Sequence, residues 1–274
     1  MSNLFHLEQS AHMSQVSCII PFYNGGDTIA RAIDSVINSP ACHEVMLMVD
    51  ASPEPLAPHL TDAHRAAMAV GKLRVIELAT NLGQAAMRNV AASLSTAPYI
   101  AFMDQDDMYL PGFCEEMSAV LNQHPHLAAI ECGAEIVKDG LNLLDITDPR
   151  YIAIMSSVPW NVLIRRVAFW EVGGFPIEAA FRTKLAGEDI AFKTPLRHFL
   201  ATAADYSRRL VRHHLRNGSA TDNYLNRTQV VDGQVIYTTH YENEQNGAWQ
   251  AALDAHYTKV RRDFEAFRLV KMAH

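Results

Sequence analysis

The chain has 274 residues, 49% of them hydrophobic and 19% charged, with a formal net charge of -7. That length and apolar content support a substantial core without disulfide or metal staples. The acidic balance argues against a general nucleic-acid binder but leaves nucleotide binding open, since that needs only a few local groups.

The elements can be taken in chain order. VSCIIPFYN (16–24) is a short apolar run broken by Pro21, with turn residues behind it, and predicts a buried strand entering a loop. Asp27 is placed to cap the helix that follows, in which Ile29, Ile33, Val36 and Ile37 fall at helical spacing. HEVMLMVD (43–50) predicts a second strand ending in an acid, and LRVIEL (73–78) a third. NLGQAAMRNVAASLS (81–95) reads as a turn and an alanine-rich helix, and YIAFMD (99–104) as a fourth strand. This alternation predicts an α/β fold on a mainly parallel sheet, in which ligands bind at the carboxyl ends of the strands. Tyr23 and Asn24, Asp50, and the acids from Asp104 onward all stand at such ends.

Further on, a helix is expected over 112–123, strands over 127–137 and 157–166, and a short helix closed by Gly173 and Gly174. A helix over 187–200 carries Glu188 and Asp189 in its first turn, and YSRRLVRHHLRNGSA (206–220) reads as a strand leading to a loop. Polar linker follows residue 220, then a long amphipathic helix from Trp249. The four cysteines, Cys18, Cys42, Cys114 and Cys132, have no zinc-like spacing and read as reduced buried thiols of a cytoplasmic protein. The amino terminus has neither a basic start nor an apolar h-region, so it does not read as a secretory signal. No apolar run reaches the roughly eighteen residues that a membrane helix needs.

In YIAFMDQDDMYLP an apolar run meets Asp104, Asp106 and Asp107 within four positions. Carboxylates crowded at a strand end are costly unless a positive charge meets them. Hard oxygen ligands suit magnesium or manganese, which keep phosphate oxygens and waters as further ligands. Alone, such a short acidic turn is a weak signal.

Its neighbours sharpen it. The succession VSCIIPFYNGGDTIARAIDSV, VDASPE, NLGQAAMRN, YIAFMDQDD, NVLIRRVAFWEVGGF, GEDIAF and RHHLRNGS resembles the family 2 glycosyltransferases of the GT-A fold, over roughly residues 15–220. The resemblance implies a Rossmann-like nucleotide-binding half with a mixed, mainly parallel sheet flanked by helices, followed by a C-terminal helical extension. The implied boundaries are a tail at 1–14, a glycosyltransferase domain at 15–220 (nucleotide-sugar half 15–110, acceptor half 111–220), and a linker with an amphipathic helix at 221–274.

By the same resemblance, Pro21, Tyr23 and Asn24 form the edge that takes the nucleobase, and Asp50 accepts a hydrogen bond from the base, usually uracil. The usual pair of acids is here Val49-Asp50, and the following Gly-Ser is Ala51-Ser52. Asn81, Gly83, Arg88 and Asn89 match a donor-side segment, with Arg88 beside the diphosphate or the acid cluster. Asp104 corresponds to the ribose-binding acid and Asp106 to the direct metal ligand, for Mn2+ or Mg2+. Asp107 is expected to bond to its surroundings. His214 corresponds to a late histidine near metal and phosphate, and His213 is read as incidental. Glu188 and Asp189 form the acidic pair whose second member is the general base. Each residue also has a plain alternative: Tyr23 as edge packing, Arg88 as a surface ion pair, Glu188 and Asp189 as helix-end charges, the histidines as loop residues.

The implied function is metal-dependent, inverting transfer of a sugar from a nucleotide diphosphate donor, first of all a UDP-sugar, to an acceptor hydroxyl. Bacterial surface polysaccharide or glycoconjugate synthesis is the setting this suggests. A sugar nucleotidyltransferase is the alternative enzyme, disfavoured because PFYNGGDT carries no basic residue before Arg31. A non-catalytic module binding a nucleotide sugar or glycan is the other alternative. The glycan, lipid or protein nature of the acceptor stays open. The terminal stripe Trp249, Leu253, Tyr257, Val260, Phe264 and Phe267, with its neighbouring bases, is read as packing on its own domain, on a second copy, or on the inner membrane surface.

Overall fold

A computed structural model describes residues 15–182, 187–238 and 244–272, apart from the side chains of 244–246 and 267–272. The expected tail at 1–14 and the side chain of Phe267 therefore lie outside the described residues. The first half alternates as the sequence dictates: β1 (Val16–Phe22), α1 (Gly26–Ile37), β2 (Cys42–Asp50), α2 (Asp62–Ala69), β3 (Leu73–Leu78), α3 (Gln84–Leu94) and β4 (Tyr99–Phe102). β3, β2, β1 and β4 lie side by side and parallel. Their residues are apolar on both faces because helices cover both. Ile20, Leu47 and Ala101 pack on one side, and Ile19, Met46 and Ile100 on the other.

The second half adds β5 (Met108–Tyr109), α4 (Phe113–Gln123), β6 (Ala129–Lys138), β7 (Leu141–Asn142), α5 (Pro149–Ser157), β8 (Val162–Arg165), α6 (Arg166–Glu171), α7 (Glu188–Phe199) and β9 (Thr202–His214). β8 joins β4 antiparallel, and the sheet runs on through β6, β9 and β5. It is the mixed, mainly parallel α/β sheet that the strand pattern predicts.

Several local expectations change: the strand expected over 157–166 is β8 at Val162–Arg165 with Ser157 closing α5, and the last helix starts at Glu244 instead of Trp249. Asp27 sits in the first turn of α1, and Gly25 occupies the cap position without a side-chain cap. Residues 220–238 are not linker: α8 (Ala220–Asn226) leads into a hairpin of β10 (Thr228–Val231) and β11 (Gln234–Tyr237). Asp232 and Gly233 both have positive φ, 50° and 74°. Asp-Gly between short apolar strands is the sequence signature of such a two-residue hairpin turn.

Two arrangements fix the second half on the sheet. Lys193, fully buried in α7, donates to the carbonyls of Met155 and Val158 at 2.8 Å and to Asn161 Oδ1 at 2.9 Å, and pairs with Glu131 of β6 at 2.9 Å. Arg197 closes the same network on Glu131. Lys193 stands one turn after Asp189, so this buried network sets where α7 begins. The last helix, α9 (Glu244–Met272), lies on α7. Val260 is buried in the core cluster with Phe192 and Leu196, and Tyr257 and Phe264 stack on Phe199 at 5.3 Å. Tyr257, Val260 and Phe264 of the terminal stripe therefore pack on their own domain.

Candidate active site

The carboxyl ends of β1, β2 and β4 open on a crevice of about 150 Å³ lined by Pro21, Tyr23, Asp50, Asp104, Asp106 and Arg216, among others. Each wall has a local cause. Asn24 takes φ 49° and its carboxamide oxygen accepts from the Glu54 backbone N–H at 3.3 Å, which ties the loop after β1 to the loop after β2. Tyr23 is 46% exposed at the mouth, while its backbone forms a paired clamp with the Gln105 carboxamide, at 2.8 and 2.9 Å.

Asp50 is buried, and its two carboxylate oxygens accept from the backbone N–H groups of Leu82 and Gly83, at 2.7 and 2.8 Å. Asn81 donates to the Asp50 carbonyl at 3.1 Å. Asp50 thus shapes the turn that starts α3, whose Gly83 has φ 82°, as well as facing the crevice.

Arg88 joins the two halves. It is fully buried in α3, donates from Nη2 to Asp104 at 2.7 Å and from Nη1 to Asp189 at 2.8 Å, and lies over the Phe175 ring. The sequence reading placed it beside the diphosphate or the acid cluster; burial puts it among the acids, behind the surface of the crevice. Glu188, also buried, accepts from Gln84 Nε2 on one oxygen, and its other oxygen has no partner among the described residues.

Asp189 is 24% exposed and lines a second cavity on the far side of Arg88. Its carboxyl is pushed up to about 8, first by burial and then by Glu188 and Asp104, against the opposing pull of Arg88. Two carboxylates on one guanidinium, with a third nearby, cannot all ionise cheaply, so the site holds its protons tightly. The helix N-terminus alone would act in the opposite sense.

The acids after β4 have separate roles. Asp106 is buried, pairs with Arg216, and its carboxyl is raised to about 6 by burial and by Asp107 and Asp104. Arg31 donates to its carbonyl at 2.9 Å. Asp107, fully buried, accepts from His213 Nδ1 and from the His214 backbone N–H, at 2.9 and 3.0 Å. His213, read as incidental from the sequence, is thus the histidine that anchors the acidic loop to β9, its ring stacked on Trp160 at 5.1 Å. Burial pushes its ring pKa down, but the Asp107 carboxylate outweighs that and raises it overall.

Among the described residues no three His, Cys, Asp or Glu side chains gather closely enough to enclose a cation. Magnesium- and manganese-type ions commonly bind one or two carboxylates and take phosphate oxygens for the rest. Asp106 with Asp104 fits that donor set. His214 is not gathered with them, though its Nδ1 is buried without a partner among the described residues.

Two residues of this region escaped the sequence reading. Arg216 stands over Asp106, and Arg182 donates to Asn81 and overlies Gly83. Arg216 follows β9 in a loop and Arg182 ends a short 3-10 helix (Ala179–Arg182), and neither has a spacing signal of its own.

Known proteins show the same frame. The chain is 31% identical over 170 residues to the succinoglycan biosynthesis protein ExoU of Rhizobium meliloti, covering 60% of this chain and 48% of that one. It is 29% identical over 153 residues to the putative glycosyltransferase EpsE of Bacillus subtilis, covering 53% and 49%. The chain spans about half the length of the curated relatives it matches. Among solved structures, the TarS fragment of S. aureus in complex with UDP-GlcNAc superposes with a TM-score of 0.64 at 15% identity, covering 92% of this chain and 71% of that one. The mannosyltransferase PcManGT of Pyrobaculum calidifontis, in complex with GDP-Man and Mn2+, gives 0.56 at 17%, covering 75% and 58%. At such identities the likeness shows the fold, which is GT-A. The family model "Glycosyl transferase family 2" matches residues 17–176, more than half of the chain, from the first strand through the Gly173-Gly174 turn. This chain belongs to glycosyl transferase family 2.

Proposed function

We propose that the protein is an inverting glycosyltransferase that moves a sugar from a nucleotide diphosphate donor, most simply a UDP-sugar, to an acceptor hydroxyl in bacterial polysaccharide or glycoconjugate synthesis. The observation that carries this reading is Arg88, which binds a donor-side carboxylate, Asp104, and an acceptor-side carboxylate, Asp189, on one buried guanidinium. Family membership and the UDP, UDP-GlcNAc and GDP-Man complexes of the structural neighbours support a nucleotide-sugar donor. The domain division at 15–110 and 111–220 is retained as part of this proposal, with the hairpin after 220 added to the acceptor side.

Tyr23, with Pro21, Asn24 and Asp50, takes the base; Asn81 and Gly83 shape that wall; Asp104 meets the ribose. Asp106 is the residue that would hold a divalent cation, with His214 as a further candidate. Such an ion, when bound, neutralises charge on the departing diphosphate. Asp189, poised at a raised pKa, accepts the acceptor hydroxyl proton as that oxygen bonds to the anomeric carbon. The bond from that carbon to the diphosphate oxygen breaks, and the electron pair leaves with the nucleotide. One displacement from the opposite face inverts the configuration. Glu188 keeps the local field negative, and Arg88 orients Asp189.

A panel of UDP-, GDP- and dTDP-sugars, assayed for nucleotide release with and without acceptor, tests this. At least one donor should be turned over, and Asp189→Asn should cut turnover by about two to four orders of magnitude with donor binding retained. Turnover by Asp189→Asn at the wild-type rate would remove Asp189 from the role of base.

A further inference from the structure

The cavity beyond Asp189 has a volume of about 360 Å³ and is lined by Ile154, Val158, Ile190, Tyr224 and Tyr237, among others, with Ser157 and Thr221 adding hydroxyls. Tyr237, in the second strand of the hairpin, is 65% exposed, and Tyr224 of α8 meets it edge-on, with ring centroids 6.2 Å apart at 71°. Asp189 is its charged group, and no Lys, Arg or His lines it among the described residues. Arg150, whose charge acts on Tyr224, is held bidentate by Asp148.

We infer that this cavity, closed on one side by α8 and the β10–β11 hairpin, is a binding site for an uncharged pyranose, whose ring stacks on Tyr237 and whose hydroxyl reaches Asp189. This rests on the reading of Asp189 as the base. The chemistry selects the ligand in three ways. A bare hydrocarbon chain would exclude water from the Thr221 hydroxyl, from the accepting side of the Ser157 hydroxyl, whose proton goes to the Ile154 carbonyl at 3.0 Å, and from the Asp189 carboxylate, which Arg88 meets at Oδ1, and would offer none of them a hydrogen bond. A phosphate or diphosphate would bring negative charge against Asp189, where the one guanidinium at hand, Arg88, is buried and already committed to Asp104 and Asp189. A pyranose chair has an apolar C–H face, which suits the negative face of an aromatic ring, and a rim of hydroxyls, which suits the carboxylate and the side-chain hydroxyls. If the physiological acceptor is lipid-linked, its phosphates then lie outside this cavity and only a neutral sugar unit enters it.

Saturation-transfer NMR on the full chain tests the inference, with methyl α- and β-glucoside, galactoside and mannoside as probes and octyl phosphate as the anionic amphiphile. Wild type, Tyr237→Ala and Tyr237→Phe are compared, with circular dichroism confirming that each is folded. At least one methyl glycoside should receive saturation on its ring C–H protons, bind about tenfold more weakly to Tyr237→Ala, and bind as before to Tyr237→Phe. Binding of octyl phosphate but no glycoside overturns the inference. So does glycoside binding that is unchanged in Tyr237→Ala, or equally lost in Tyr237→Phe, because the ring would then not be the platform. UDP binding is measured separately by calorimetry; its absence would count against the donor reading, while the glycoside signal still decides this one.

Discussion

Replacing Arg88 by lysine perturbs the contact on which the two halves of the site converge. The guanidinium makes two charge-assisted bonds in a fork, to Asp104 and Asp189, from a fully buried position. Lysine is a point charge and can satisfy one of them well. A charge-assisted hydrogen bond contributes ~1.5–3 kcal/mol, and the lower end applies here because both carboxylates keep some solvent contact. A loss of ~1.5 kcal/mol lowers the melting temperature of a chain this size by roughly 3–6 °C. Where that loss falls on Asp189, it makes the carboxyl hold its proton about tenfold more tightly. Arg88 pulls Asp189 down against burial, which holds it at about 8. Weakening that pull should therefore move the acid limb of kcat/KM to higher pH, since the ionised base appears only above its pKa. Thermal unfolding and a pH–rate profile on the preferred donor read both effects. A melting temperature and an acid limb that both stay at their wild-type values in Arg88→Lys would refute the claim that this guanidinium controls Asp189.

Three further outcomes are expected. Ala51 holds φ 50° where glycine would be unstrained, so Ala51→Gly should raise stability by up to ~1 kcal/mol in denaturant unfolding, relief of left-handed strain outweighing the added chain entropy; a clear loss would show that the methyl group is needed for packing. His256 is buried on α9 with neither ring nitrogen partnered among the described residues, and burial lowers its pKa. The folded state then resists protonation, so stability should fall as pH drops below the ordinary histidine value of ~6.5; His256→Gln should flatten that slope, and an unchanged slope would put its origin elsewhere. Removing residues 246–274 uncovers Phe199 and the Val260 pocket, at a cost of at least the ~1.5–3 kcal/mol of one buried aliphatic side chain. Sedimentation should then show self-association while UDP binding persists; an unchanged melting temperature, with the full chain floating on anionic liposomes, would favour membrane contact instead.

Much of this was legible because the first half is built from local signals. β3 coincides with LRVIEL, and β1, β2 and β4 end within two residues of the expected points, because turn residues and acids interrupt apolar runs there. Asp50 ends β2, Asp104 and Asp106 stand in the turn just past β4, and Asp189 opens α7, places where an acid interrupts an apolar run, whereas Arg88, in the middle of α3, stands out only through the family resemblance. What failed was side-chain facing within a strand. Of adjacent His213 and His214, one must point inward, but which one depends on the pairing of β9 with β6, where the register shifts around Gly133. No single-strand pattern records that shift. The 228–237 hairpin is a different case, since its Asp232-Gly233 turn was present in the sequence but hidden in a polar stretch. Arg216 and Arg182 act across long separations, from a loop and a single 3-10 turn whose positions only the assembled fold defines.

On this reading, the crevice around Asp104 and Asp106 takes a nucleotide diphosphate together with a divalent cation. Calorimetric titration of UDP and of GDP, with and without Mn2+, into wild type and Asp106→Ala tests it most directly. Phosphate oxygens should complete a donor set that the protein leaves partial, so wild type should bind one nucleotide more tightly with Mn2+ than without, and Asp106→Ala should lose that gain. Equal affinity under all four conditions for both nucleotides, or no binding at all, would contradict the account.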